Sequence, residues 1–426
     1  MEEWKEYKIS DVCKIRHGFA FKGAYFTNEK QPYICVTPGN FDIKGGFKLS
    51  KPKYYHGPIP NDYILNKDDL IVTMTDLSKD GDTLGYSAII PQIRDITFLH
   101  NQRIGLVESI ASNISKHFLY WVMRTPEYQK YIVNCCSGST VKHTSPKLIG
   151  TYVFKAPDPE TQEEIASLLN NLDAKIELNR RINDNLEQQA QALFKSWFVD
   201  FEPFLSKEFS KSDSLFGDIP VGWSIVSIKD LPIYITDYVA NGSFASLKEN
   251  VRLYDKPNYA HFIRNTDLKA ESYKIYVDKH SYEFLAKSVL EGGEIIISNV
   301  GDVGSVFLCP KLQKPMTLGN NIILLRPKNN YSMFYLYMLF KGNVGQHLID
   351  GITGGSAQRK FNKTDFKSIK IMMPPVDILI KFDRIIKPIF SKIEKNREEI
   401  SRLELVRDTL LPKLMSGEVE INKINN

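Results

Sequence analysis

Forty residues without a proline or glycine, Gln162 to Phe201, constrain this chain more than any other stretch. Apolar side chains recur there at three- and four-residue steps: Ile165, Leu168/Leu169, Leu172, Ile176, Ile182, Leu186, Ala190, Leu193/Phe194 and Trp197. The intervening positions carry Glu, Asp, Lys, Arg, Asn and Gln. That is the helical period sustained for about ten turns. At ~1.5 Å per residue the rod is roughly 60 Å long, well beyond the mean for a globular domain. Such a stripe needs a partner, and Ile378 to Leu414 supplies one with the same spacing.

The two stripes superpose about 217 residues apart without a gap, placing Ile165 on Phe382, Leu172 on Ile389, Ile176 on Ile393 and Asn179–Arg180 on Asn396–Arg397. One such stripe is an ordinary core helix; two matching stripes half a chain apart point to a duplication. Pro388 is the discord, and its missing N–H predicts a kink or a late start. Thr161, three residues before Glu164, reads as a capping box for the first helix.

At 426 residues the chain holds two or three domains and buries a sizeable core, and an apolar fraction of 42% excludes wholesale disorder. No apolar run is long enough to span a membrane, and MEEWKEYKIS lacks the apolar core of a signal peptide. Cys13, Cys35, Cys135, Cys136 and Cys309 form an odd set with no C-x-x-C, which points to a reducing cytoplasm and against structural zinc. A net charge of +5 permits a nucleic-acid partner without demanding one.

Residues 1 to about 156 read as a mixed α/β globule. Strand-like runs at Gln31–Thr37, Leu70–Met74, Tyr86–Ile90 and Ile104–Val107 are separated by turn clusters, and Lys116 to Val133 has helical spacing. A small-residue loop, Ser137–Lys147, precedes the last strand of the globule. Phe198 to Gly222 reads as an ordered connector, and residues 220 to about 374 then repeat the same succession. Trp223 stands where Trp4 stood, Ile295–Ile297 answers Leu70–Val72, and Leu318–Ile322 answers Leu99–Ile104. The loop Gly354–Lys363 answers Gly138–Lys147.

Catalytic constellations are absent from the sequence. It holds no phosphate loop, no H-E-x-x-H, no G-x-S-x-G, and neither the aromatic-ended clamp nor the Gly-rich loop of an amine methyltransferase. Asp158–Pro159–Glu160 reads only as a turn, Asp80–Asp82 and Gly301–Asp302 as Gly-assisted turns, and Cys135–Cys136 as the filling of a helix end. The positive chemistry sits in two matched loops. Lys142, His143, Thr144, Ser145 and Lys147 line one, and Gln358, Arg359, Lys360, Asn362 and Lys363 the other. Arg, Lys, Asn and Gln have donor patterns that pair with purine edges in a major groove, while Lys and Ser/Thr hold phosphates. A short charge cluster is by default a solvated loop; recurrence at corresponding places of two heads is what favours DNA. Asn101, Gln102, Arg103, Asn320 and Asn321 form a second set, although an Asn beside a strand also caps turns.

LFKSWFVDFEPF (Leu193–Phe204), LLPKLMSGEVEI (Leu410–Ile421) and the two strand-to-helix junctions resemble the specificity subunits of type I restriction–modification systems. The resemblance covers essentially the whole chain. It implies an α+β fold: two repeated mixed α/β target-recognition domains (residues 1–156 and 220–374) separated by two long antiparallel α-helices (157–200 and 375–416), with a connector at 201–219, a tail at 417–426 and pseudo-two-fold symmetry. It also implies a non-catalytic, cytoplasmic reader of double-stranded DNA in which each domain recognises half of a split site. Its partners would be two modification subunits, which carry the S-adenosylmethionine and methylate adenine, and restriction subunits; no cofactor or metal is expected in this chain. The apolar excess near the helix ends (Phe194, Trp197, Phe198, Leu411, Leu414, Met415) is expected either to dock a modification subunit or to pack on a neighbouring head. Two rival readings stand beside this one, a stand-alone nuclease or methyltransferase and a structural tether between two protein partners that never touches DNA.

Overall fold

The computed structural model of the chain describes residues 4–78, 81–138, 141–211, 216–355 and 358–421. Asp80, Ser139, Thr140, Ser356 and Ala357, which fall in the turns and loops singled out above, lie outside those residues. The chain forms two compact units, one of residues 1–180 with 397–426 and the other of residues 181–396. Each unit holds one globular head and part of each of two 40-residue helices, Pro159–Phe198 and Val376–Met415.

In the first unit a four-stranded antiparallel sheet runs in the order Lys14–His17, Ile104–Glu108, Leu70–Thr73, Ser87–Ile89. Leu70–Thr73 is buried on both faces, as a run of Leu, Ile and Val requires. A five-stranded sheet lies beside it, with Thr97–His100 parallel to Tyr33–Val36 at its centre. Lys5–Lys8 pairs antiparallel with Val153–Ala156, which delivers the chain into the first long helix.

The second unit repeats these pairings. Its four-stranded sheet runs Ile233–Asp237, Ile322–Pro327, Ile295–Ser298, Val306–Leu308. Its five-stranded sheet has Ala260–Ile263 parallel to Met316–Leu318, and Ser224–Ser227 pairs with Lys370–Met373 ahead of the second long helix.

Local chemistry corrects three sequence readings. The first long helix starts at Pro159, not at a Thr161 capping box. The Asp158 carboxylate accepts the amides of Glu160 (2.9 Å) and Thr161 (3.2 Å), with proline at the first helical position, so Asp158–Pro159–Glu160 is the helix start rather than a bare turn. Lys116 to Val133 is two helices, Lys116–Val122 and Pro126–Asn134, because Pro126 begins a new one under a Thr125 cap. Pro388 marks no late start, since the second long helix begins at Val376 and continues through it. That residue lies on the exposed side, where water can satisfy the freed carbonyl, while Phe382, Ile386, Phe390 and Ile393 are buried on the other side. Packing of that face outweighs the roughly 3 kcal/mol an interior proline costs.

Within each unit the helices run antiparallel. In the first, Arg407 Nη1 meets Asp173 Oδ1 at 2.7 Å and Arg180 Nη2 meets Glu404 Oε1 at 2.8 Å. In the second, buried Asn396 Nδ2 donates to Asn183 Oδ1 at 2.8 Å, and the Phe382 ring lies 4.8 Å from that of Phe198. A buried polar pair in an apolar seam favours one register over its neighbours.

The first head is tied to the helices by charge. Arg124, almost fully buried, donates to Asp173, to Tyr120 and to the Lys44 carbonyl, and lies 4.2 Å from the Trp121 ring. Burial alone would raise the Asp173 pKa, but the Arg124 and Arg407 guanidinium groups more than offset it and hold the carboxyl below its usual range. Removing one partner of such a cluster leaves cations uncompensated. Asp173→Asn is expected to cost about 2–4 kcal/mol at neutral pH. A carboxyl with a depressed native pKa contributes fully above its unfolded value near 4 and loses that contribution as pH falls through the native value. Urea unfolding of both proteins between pH 7 and 3 should therefore show the gap in midpoints closing at the acid end.

Candidate DNA-reading loops

Sheet topology brings three loops of each head to one edge. In the four-stranded sheet of the first head, Leu70–Thr73 ends where Ile104–Glu108 begins, since Ile104 pairs with Thr73. The loop after Thr73 therefore meets the turn 101–103. The Met74 amide donates to the Arg103 carbonyl at 2.9 Å, and the Thr144 amide donates to the Met74 carbonyl at 3.0 Å. The second head repeats this relay. The Asn299 amide donates to the Asn321 carbonyl at 3.1 Å, and the Phe361 amide to the Asn299 carbonyl at 3.1 Å. The two residue sets read separately in each half of the sequence are thus brought together, joined by a loop (74–84 in the first head, 299–305 in the second) that sequence reasoning passed over as turns. Its only sequence signal was the turn clusters DGD and GDVG.

The last loop is clasped in the same way in both heads. Ser137 and His143 exchange backbone hydrogen bonds of 3.0 and 2.8 Å, and Gly354 and Lys360 exchange two of 2.9 Å. Gly138 and Gly355 take φ of +93° and +95°, and a Cβ there would fall 2.0 Å from the Val141 carbonyl oxygen and 2.3 Å from that of Gln358. Only glycine closes the loop this tightly. Downstream, Ser145 caps the helix Pro146–Gly150 and Asn362 caps Lys363–Ser368, so both side chains are engaged by their own helices.

The side chains differ between heads. Lys142 and His143 pair as strand residues with Asp76 and Thr75, and His143 Nδ1 lies 3.2 Å from Thr75 Oγ1. Thr144 is half-buried, while Lys147, Gln102 and Arg103 are exposed. Lys142, Lys147 and Arg103 have no carboxylate partner among the described residues. Asn101 is turned inward at 9% exposure; it donates to Cys35 Sγ and accepts the Arg103 amide at 3.0 Å, the turn-capping role that any Asn beside a strand can take. Beneath it His100 is buried, with Nε2 donating to the Ile104 carbonyl at 2.8 Å, and burial lowers its pKa to about 4, so it is neutral.

In the second head Gln358, Lys360, Asn320 and Asn321 are exposed, with Asn321 in a left-handed turn at φ +64°. Arg359 pairs with Asp350, Lys363 with Asp237 at 3.1 Å, and nearby Lys269 with Asp302.

The helix-end residues go to the head cores. Phe194, Phe198, Leu411 and Leu414 are buried, and Trp197 and Met415 are half-buried against the same clusters. Phe194, Trp197 and Phe198 stack with Phe382, Tyr335, Trp223 and Phe204 in the second unit. Leu411 and Leu414 close the first head's core. Within the chain itself this apolar excess packs on the protein's own heads.

The model of the type I restriction modification DNA specificity domain matches residues 1–188 and again residues 220–405. The chain belongs to the type I restriction–modification DNA specificity family. Among curated relatives, the HindI specificity subunit of Haemophilus influenzae is 27% identical over 491 residues, which cover 98% of this chain and all of the relative. The MjaIX specificity subunit of Methanocaldococcus jannaschii is 25% identical over 73% of this chain and 71% of its own length. Among solved structures, the type I S subunit from M. genitalium superposes with a TM-score of 0.52 at 16% identity, over 97% of this chain and 96% of that one, which speaks to the fold alone. As a member of this family the chain is a specificity subunit built from two such domains, and each domain match takes in one set of converging loops.

Substituting alanine for Gly138 or Gly355 should distort one loop and leave the other head intact. The expected cost to stability is about 1–3 kcal/mol, the range for a strained backbone position. Specific DNA binding should fall roughly tenfold or more, a loss that filter or fluorescence titration alongside thermal melting would separate from unfolding.

Proposed function

We propose that this specificity subunit reads a bipartite, asymmetric DNA site, one half with each head, as the non-catalytic member of a cytoplasmic complex. In that complex two modification subunits hold S-adenosylmethionine and methylate adenine, and restriction subunits join to form a nuclease. The observation that carries this reading is the repeated backbone relay. Two heads with the same pairing of strands gather the same three loops, yet fill them with different side chains. A shared scaffold with unlike loops suits two unlike half-sites. The donors on those loops, Arg103, Gln102 and Lys142 in one head and Gln358, Asn320 and Lys360 in the other, match base edges and phosphates. Asn101, Ser145 and Asn362 are left to hold the loops in shape.

A tether that never touches DNA is the competing reading, and salt distinguishes the two. Each phosphate contact contributes about −0.9 to the slope of log affinity against log salt. Lys142→Ala and Lys147→Ala should each flatten that slope by up to about this amount in the complex with the modification subunits. A tether shows no such binding.

In this reading the long helices fix the distance between half-sites, because heads reading one face of B-DNA must sit about one turn apart. Four residues inserted into each helix add ~6 Å of rise, close to two base pairs. Mapping methylated adenines genome-wide, with and without the insertions, should return the same two half-sites across a longer spacer. An unchanged spacer would overturn the ruler role, and no methylation dependent on this chain would overturn the reading as a whole.

A further inference from the structure

The loop after Leu70–Thr73 carries a large apolar side chain, Leu77, that joins none of the apolar clusters of the head. Leu77 is 66% exposed, flanked by Asp76 and Ser78 in an otherwise polar loop. A lone exposed apolar residue is common on any surface. This one is singled out by how firmly it is held and by what surrounds it. The Asp76 carboxylate accepts the Ser78 amide at 2.6 Å, the Thr83 amide, and the Thr83 hydroxyl at 2.8 Å. Asp76 is itself paired as a strand residue with Lys142, and His143 with Thr75. The backbone on the N-terminal side of Leu77 is therefore fixed to the cationic loop, and that on its C-terminal side to the Asp76 carboxylate. The chain thus spends a dense set of hydrogen bonds on presenting an isobutyl group to water next to the residue that pairs with Lys142.

We propose that Leu77 is a specificity-determining residue that contacts the C5-methyl group of a thymine in the half-site read by the first head. This rests on the DNA-reading role argued above and deepens it. In the major groove thymine differs from cytosine at that carbon by a methyl group, and apolar side chains read it by contact. Lys142, paired across from Asp76, and Arg103 on the neighbouring turn are suited to phosphates and to purine acceptors, which leaves the apolar feature of the groove to Leu77. In the second head the corresponding loop, 299–305, contains no exposed large hydrophobic residue among those described, and Asp302 there is tied to Lys269. That loop therefore offers no counterpart of Leu77 among the described residues.

Replacing thymine by uracil deletes the methyl and leaves every hydrogen-bonding group in place. With the purified complex of this chain and its modification subunits, and the motif taken from methylation mapping, each thymine of the two half-sites would be replaced in turn. The wild-type complex is expected to lose roughly 4- to 10-fold in affinity at one position of the first head's half-site, about the value of one buried methyl to one good base contact. Leu77→Ser should lose the same factor on thymine DNA and become indifferent to uracil at that position. Ile43→Ser serves as the control: it is 60% exposed in the same head but neighbours Asp42 and Lys44, which pair with the helix residues Arg180 and Asp408. That variant should keep the wild-type response. Indifference of the wild type to every replacement in that half-site, full uracil sensitivity in Leu77→Ser, or loss of the modification subunit from Leu77→Ser would each overturn the assignment. Absence of any bipartite preference in the wild-type complex would instead overturn the underlying DNA-reading role, and this contact with it.

Discussion

Neither head can complete its core from its own globular sequence. In the first unit Phe118, Leu119, Trp121 and Tyr128 are buried against Ile165, Ala166 and Leu169 of one long helix and Leu411 and Leu414 of the other. In the second, Tyr335, Leu336 and Phe340 are buried with Ala190, Phe194 and Phe198 of the first helix and Phe382, Ile386 and Phe390 of the second. Each head thus closes on two helical segments far apart in the sequence. Burying a large apolar or aromatic side chain contributes about 1.5–3 kcal/mol, so this seam stabilises both helices and heads. It accounts for two features that look anomalous in isolation: a proline tolerated inside a long helix, and an aromatic surplus at the helix ends.

The same architecture is stabilised by different chemistry in the two units. Position 124 is Arg and its counterpart is Lys341, each at the base of its head, and each reaches a helix carboxylate: Arg124 meets Asp173, and Lys341 meets Glu187 at 2.6 Å. The position matching Asp173 in the second helix is Phe390, which stacks on Phe334 at 4.8 Å. One unit closes its joint with a charge cluster, the other with a single ion pair and stacked rings. A duplicated backbone tolerates such divergence because packing and ion pairing can each satisfy the same geometry.

Sequence legibility followed the range of the interactions involved. The long helices and the half-repeat were readable because periodicity is local and a matching spacing recurs about 217 residues on. Strands such as Leu70–Thr73 and Ile104–Glu108 were readable from their apolar β-branched runs. Helix starts were misread where a cap competes with a neighbour, as Asp158 does with Thr161. What could not be read was convergence. Nothing at Thr75 or Asp76 announces that the loop lies against Lys142 and His143, some 66 residues away, because that contact depends on strand register. Nor could the sequence tell Asn101, turned into the fold, from exposed Gln102 beside it.

The relay that joins the three loops uses backbone atoms only: an amide of the middle loop to a carbonyl of the turn, and an amide of the last loop to a carbonyl of the middle one. The relay itself asks nothing of the side chains, although the Asp76 carboxylate, the Asn299 amide, the caps and the inward Asn101 also hold the loops. The middle residue of the relay is Met74 in one head and Asn299 in the other, and the clasp residues are His143 and Lys360. The main-chain part of the frame constrains residue type chiefly at glycines 138 and 355. Side chains on such a frame can change without moving the loops, and a protein whose task is to discriminate sequences gains from that separation: geometry is kept by the backbone while recognition varies on top of it.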